Sequence, residues 1–564
     1  LKRLGPKPKS VILTSAIAVS GLVLGCLTAE GTALQALAAI TPQSLIEPSA
    51  SAVPGESASA SPAVVPSLPP ANCQIQGLEK SNTVPQDALV QVLRGLPQCP
   101  PDVLVLRQEL QKRGAELMTT MVANRGFHNA SAGSFSLFES LTGTLQGVNF
   151  QLSPGMFFLG HFTAADQQIL SLDQNPLSES LMIELIAWDP SKGLFNFYEL
   201  IGKGAQKGGW HYRGDSRDIL ADTEALHLPR PSGQAAFGNR LRCSGCHLAG
   251  GPIMKELTLP HNDWWLKARP LPLAGNKPDL TLSAFLNQLQ DASVLSQHVQ
   301  TGMLQLMNSP TFQGLPRSLQ AQLRPLFCPV ELNLESDSLP LAETGPEIEI
   351  PASALLDLNW QQKDLKVSAQ AYLMVLKQLK SRFPETDLPD ADHAWLSPVK
   401  AWSDQAAIAH LQQTGLIDEE FIADVLAVDM IRPVFSEQRC GLLQYVPTQW
   451  SPDWQAKLRQ NLSRHTTPAA LQLFRHLRDP SLNQQSHQAK ARQFWQACQE
   501  RVTTVQGLQD LLQFLAAQRL AIAKSEISSN PRGQILEPGF RVIFPLWEVP
   551  KQVPQLNLAC MPDE

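Results

Sequence analysis

The sequence predicts an α+β chain of several domains, in which a small sheet-containing half precedes a mainly helical one. Three observations predict this. At 564 residues the chain is long enough for three or more domains. Near residues 182–200 two β-rich runs flank a turn containing Pro and Gly. Beyond residue 359 apolar side chains recur at helical spacing. A formal charge of −6 and a pI near 6.1 add an exclusion: no basic bias marks nucleic acid as a partner.

The N-terminus reads as export. Lys2, Arg3, Lys7 and Lys9 precede an apolar run from Val11 to Leu27, so residues 1–38 are expected to be a signal peptide or a membrane or lipid anchor. Ala36-Leu37-Ala38 suits a signal peptidase, Val23-Leu24-Gly25-Cys26 resembles a lipobox, and the run approaches the length of a single uncleaved anchor. Each ending puts the bulk of the chain in the periplasm or an equivalent extracytoplasmic compartment. The chain opens on Leu1, as expected of a non-standard start codon or a truncation. Residues 39–72, rich in Pro, Ser and Ala, cannot bury a core and read as a disordered tether.

Residues 73–235 are expected to form an α+β domain. Leu106, Leu110, Leu117 and Met121 space a helix over Val103–Ala123, and Phe135–Phe138 and Met156–Phe162 suit strands. Met182–Trp188 and Leu194–Leu200 form a hairpin around Asp189–Gly193. Gly202–Gly209 matches no phosphate-binding pattern and reads as a loop, and Arg213-Gly214-Asp215 reads as a turn.

Arg242-Cys243-Ser244-Gly245-Cys246-His247 carries the chemistry. Positions i and i+3 lie side by side on a helical turn, so both thiols can add to the vinyl groups of one porphyrin while the next residue turns its imidazole to the iron. From 9 Cys and 12 His, chance supplies such a match about 0.003 times. A structural zinc site needs a second ligand pair, and the chain holds no other C-x-x-C; a redox dithiol wants a βαβ setting that is absent here.

Over roughly residues 236–335 the chain resembles a c-type cytochrome. The resemblance implies a mainly α-helical, cytochrome c-like region with one covalent haem c on Cys243 and Cys246 and His247 as proximal iron ligand. It implies a proline carbonyl, for which Pro252 is the candidate, accepting from the imidazole Nδ1. Met303 and Met307 follow His247 at a separation like that to the distal Met of small cytochromes c. Met303 and Met254 rank equal as distal ligand, ahead of His261 and of an open site; His298 and His211 come behind. Arg240, Arg242 and Lys255 are candidates for haem propionates, and Trp264 and Trp265 for pocket walls. The function expected is electron transfer by Fe(III)/Fe(II) cycling with a redox partner protein. The alternatives are a haem enzyme, peroxidase or oxygenase, with an open distal site and His261 as base, or a haem-containing binding or sensor protein. No second C-x-x-C-H is present, which argues against a two-haem peroxidase.

Beyond the motif pair and Cys26 remain Cys73, Cys99, Cys328, Cys440, Cys498 and Cys560, enough for three disulfides. Cys73 and Cys99 suit a local pair; the other four allow three pairings, with buried free thiols as the alternative. Residues 336–358, which include most of the acidic stretch Glu335–Pro351, read as a linker and 359–564 as a helical domain. Leu373, Leu376 and Leu379, then Phe421, Ile422, Val425 and Leu426, then Val505, Leu508, Leu512 and Leu515 make its apolar faces. Asp418 and Ser403 are expected N-caps, and His410, His465, His476 and His487 read as scattered singly, with no ligand cluster.

Overall fold

The computed structural model describes residues 73–81, 83–100, 103–123, 135–162, 182–201, 209–225, 243, 247–252, 290, 292–328, 331–335, 345–360, 362–379, 397–479, 484–529, 541–543 and 555–562. The export segment and the Pro/Ser/Ala tether lie outside these residues, as does the Gly202–Gly208 part of the expected loop. The fold is α+β, with an antiparallel sheet in the first half and helices after it.

The sheet has seven strands: β1 (Ala115–Ala123), β2 (Phe135–Leu145), β3 (Phe150–Leu152), β4 (Phe157–Phe162), β5 (Met182–Asp189), β6 (Leu194–Ile201) and β7 (Gly209–Asp215). Their spatial order is β1-β2-β4-β5-β6-β7, with β3 paired to β2. The β5/β6 hairpin forms as its residues predict. Asp189 Oδ1 accepts from the backbone of Ser191 and Lys192, and Gly193 takes φ +65 to close the turn.

Two expectations fail at glycines. Val103–Ala123 is not one helix: α1 (Ala88–Arg94) is followed by α2 (Val103–Lys112), and β1 begins at Ala115. Gly114 makes the break at φ +96, where a Cβ would stand 2.9 Å from the Thr144 carbonyl. The β-branched Thr119, Thr120 and Val122 then favour strand. Arg213-Gly214-Asp215 is likewise not a turn but the end of β7. Gly214, at φ +117, sits where the ladder to β6 slips between Phe197 and Tyr198, a bulge that only a permissive residue absorbs.

Alternation with period two gives the sheet two apolar faces. On one, Leu141, Leu159, Leu185, Tyr198 and Trp210 pack with Leu89 and Val92 of α1 and Leu106 and Leu110 of α2. Asp87 caps α1 beneath this face by accepting from Val90 N, and it also accepts from Tyr198 Oη at 2.5 Å and Asn196 Nδ2 at 2.7 Å. On the other face, Met118, Phe158, Ile186 and Phe197 pack with Ile219 of α3 (Ser216–Ala225) and with Leu295, Val299, Met303 and Leu306 of α4 (Ala292–Met307).

A separate core fills the second half. It is built on α5 (Leu319–Phe327), α6 (Ala369–Leu379), α7 (Trp402–Gln413), α8 (Glu419–Leu426), α9 (Trp454–Leu462), α10 (Pro468–Arg478), α11 (Gln484–Arg501) and α12 (Val505–Ser529). Phe421, Ile422, Val425 and Leu426 are all buried, whereas Val505 is exposed and Leu511 joins Leu508, Leu512 and Leu515 instead. Asp418 caps α8 by accepting from Phe421 N. Ser403 caps nothing: α7 already starts at Trp402, with Ala401 at the cap position and its carbonyl accepting from Asp404 N and Gln405 N. Glu347–Ile350, inside the acidic stretch, pairs antiparallel with Leu365–Ser368. Disulfides join Cys73–Cys99, Cys328–Cys440 and Cys498–Cys560, which selects one of the three open pairings. Among the described residues no helix is long and apolar enough to cross a membrane.

Candidate functional site

The site is built on the middle of the sheet face that carries α3 and α4. There Glu184 of β5 stands directly opposite Glu199 of β6, and both are buried. Two carboxylates side by side in an apolar layer repel and lose hydration. Arg213, two residues beyond the cross-strand neighbour His211, resolves one of them: its Nη2 lies 2.7 Å from Glu199 Oε2 and its Nε donates to the same oxygen at 2.8 Å. Glu184 faces a different group, the imidazole of His247.

His247 and Cys243 belong to one helical turn, with the His247 amide donating to the Cys243 carbonyl at 2.8 Å. Both side chains are buried, Cys243 within the apolar layer of α4 and His247 against the Phe197 ring, 5.6 Å between centroids. His247 Nε2 is 3.7 Å from Glu184 Oε2, beyond hydrogen-bond reach. Its Nδ1 and Glu184 Oε1 are both buried without a hydrogen-bond partner among the described residues. The expected Pro252 carbonyl therefore does not orient the ring. Pro252 instead packs beside Gly302 of α4, because Gly250 at φ +77 ends the turn and sends the chain onto that helix. The Leu248 carbonyl accepts from Thr223 Oγ1 of α3 at 2.9 Å, which fixes the turn from its other side.

Met303 is fully buried in the same apolar cluster as Cys243. A Cβ on Gly251 would stand 2.2 Å from its Sδ, so the chain after the motif runs directly over the thioether and only glycine fits there. Met307, one turn on, lines a cavity of about 100 Å³ next to the motif, with Leu248 and Ala249 on one wall and Arg317, Asp404 and His410 on another. Burial lowers the pKa of Arg317 and of His410.

The other candidates divide in two. Cys246, Met254, His261, Trp264, Trp265, Arg240, Arg242 and Lys255 lie outside the described residues. His298 and His211 have structural partners. His298 Nδ1 is 2.7 Å from Ser140 Oγ, and burial lowers its pKa; His211 stands opposite Glu199, its pKa lowered by burial and then by Arg213.

One group was missed. His476 of α10 and His487 of α11 are not scattered singly: both converge on Asp424 of α8, and all three are buried. His487 Nε2 lies 3.0 Å from Asp424 Oδ1, and His476 Nδ1 lies 3.1 Å from the Asp424 backbone carbonyl. His476 and His487 do sit on the buried stripes of their helices, with Leu473 one turn before the first and Ala491 and Phe494 following the second. That periodicity was the available signal. No family model matches the chain, and no curated protein or solved structure matches it either.

Proposed function

We propose that the chain is an exported c-type cytochrome that binds one covalent haem through Cys243 and Cys246, with His247 as proximal ligand and Met303 as distal ligand. The observation that carries the reading is the buried turn that brings Cys243 and His247 into one apolar layer with Met303. The donor chemistry fits a haem. Thiols and an imidazole sit in the attachment spacing, a thioether shares the Cys243 cluster, and the imidazole Nε2 lies 3.7 Å from Glu184 Oε2, beyond hydrogen-bond reach of it. When bound, such a haem carries one electron at a time between Fe(III) and Fe(II).

The remaining work belongs to the chain. Phe197, Ile186 and α4 exclude water, and a dry pocket with a Met ligand raises a haem potential. Arg213 neutralises Glu199, so among the described residues the carboxyl facing the proximal imidazole is that of Glu184, which as a carboxylate would stabilise a positive centre there. Three disulfides support an oxidising compartment, in keeping with export.

Absorption and EPR spectra of protein matured in an exporting host test the proposal. The haem should survive acid–acetone extraction, and Cys243→Ser or Cys246→Ser should release it. The ferric iron should be low-spin and indifferent to cyanide, and Met303→Ala should make it cyanide-sensitive. Loss of all haem from the parent protein on extraction would overturn the reading. The second reading, a haem enzyme with an open distal position, draws on the cavity beside Leu248, Ala249 and Met307, which has room for about three waters or a ligand of that size. Prompt cyanide binding by a high-spin parent protein would favour it.

A further inference from the structure

The helical half raises a separate question. Its core is apolar, yet Asp424, His476 and His487 project into it from α8, α10 and α11. A buried carboxylate is costly unless its oxygens are engaged, and here each member contributes a ligand atom lying within 4.8 Å of the other two. The two imidazoles cross edge to face with centroids 4.5 Å apart. His476 Nδ1 is held by the Asp424 carbonyl, which orients the ring and leaves Nε2 as its donor atom. Metal-ligating histidines are commonly fixed by such a bond. His487 Nε2 is already on the carboxylate, while its Nδ1 is buried without a hydrogen-bond partner among the described residues. So is the indole Nε1 of Trp360, whose ring lies 6.4 Å from His487.

We propose that Asp424, His476 and His487 bind one zinc-class divalent ion. Two imidazoles and one carboxylate are a familiar zinc donor set, with the fourth position left to water. Bonds of about 2.0–2.2 Å put tetrahedral ligand atoms about 3.4 Å apart. The 3.0 Å separation of Asp424 and His487 therefore opens by only a few tenths of an ångström. The ion joins α8 to the consecutive helices α10 and α11, whose histidines lie 52 and 63 residues beyond Asp424, and so staples the helical half. The site owes nothing to the motif at Cys243–His247.

The test uses the full chain, grown with zinc and purified without chelator, with zinc and iron measured separately by mass spectrometry. About one zinc per chain is expected, and Co²⁺ added to the chelator-stripped protein should give visible ligand-field bands. His476→Gln and His487→Gln should weaken zinc binding by more than about 100-fold, with circular dichroism confirming that they fold. Cys243→Ser and Cys246→Ser should retain the zinc. If the glutamine variants fail to fold, the Co²⁺ titration of the parent chain decides. Absence of zinc, of cobalt bands and of any Tm shift on adding zinc overturns the proposal, as does zinc that departs with the cysteine variants.

Discussion

Two buried histidines each face a carboxylate in this molecule, and they are held very differently. In the sheet half, His247 stands 3.7 Å from Glu184 with its Nδ1 unpartnered among the described residues. In the helical half, His487 is 3.0 Å from Asp424, and the neighbouring His476 is tied to the same residue's carbonyl. The helical trio is oriented by hydrogen bonds that cost stability if removed. The sheet pair is placed by packing, through Phe197, Thr223 and the Gly250 turn. An imidazole fixed by packing keeps its nitrogens available to an incoming group. One fixed by hydrogen bonds offers the nitrogens those bonds leave over or can yield, as His476 keeps Nε2.

The crosslinks sharpen the contrast most. Cys328–Cys440 closes a separation of 112 residues in the helical half, and Cys73–Cys99 closes one of 26 beside the sheet. Loop-closure entropy makes the first worth about 5 kcal/mol and the second about 3.5 kcal/mol. Paired Cys→Ser variants followed by urea unfolding should show that order, and a reversed order would mean that the halves do not unfold independently. Next in size is Asp424→Ala in chelator-treated protein. It removes the acceptor of His487 and leaves a buried imidazole unsatisfied, a loss of about 3 kcal/mol. The urea midpoint at unchanged slope measures it.

How much of this was legible in the sequence follows from how local each feature is. The β5/β6 hairpin, the Cys73–Cys99 pair and the Asp418 cap are each set by neighbours along the chain, and all three appear as expected. The Cys243–His247 turn is contiguous, so its residues could be chosen from the motif alone. The α2/β1 break hid because Leu106, Leu110, Leu117 and Met121 continue a helical spacing through Gly114; the glycine was the stronger signal. The Asp424 trio was harder to read for another reason: periodicity marks each histidine as buried, and only tertiary packing brings α10 and α11 to Asp424 of α8. The same holds for the choice of Cys328–Cys440 and Cys498–Cys560.

The sheet half also carries a carboxyl that titrates out of range. Burial pushes Asp87 up to about 6 from an ordinary 3.8, against the hydrogen bonds from Tyr198, Val90 and Asn196. Between those values the folded chain holds a proton that the unfolded chain has released. Stability contributed by this group is therefore full below about pH 4 and is lost as the pH rises through about 6. Asp87→Asn should flatten the fall across that window, by about 2 kcal/mol, in unfolding midpoints taken from pH 4 to pH 7.

The smallest effect is the most discriminating. Glu184→Gln touches a residue whose one oxygen is unpartnered among the described residues and whose other lies beyond hydrogen-bond distance of His247. Among the described residues no hydrogen bond is lost, and a buried carboxyl is replaced by an amide of the same shape. In protein expressed without haem maturation, stability should change by less than about 1 kcal/mol, and toward greater stability. Thermal melts at pH 7 beside Asp424→Ala give the comparison directly. A loss above about 2 kcal/mol for Glu184→Gln would mean that His247 is held by its carboxylate as firmly as His487 is. The haem reading would then require the iron to draw Nε2 away from that carboxylate, as the zinc proposed at Asp424 must open the His487 bond.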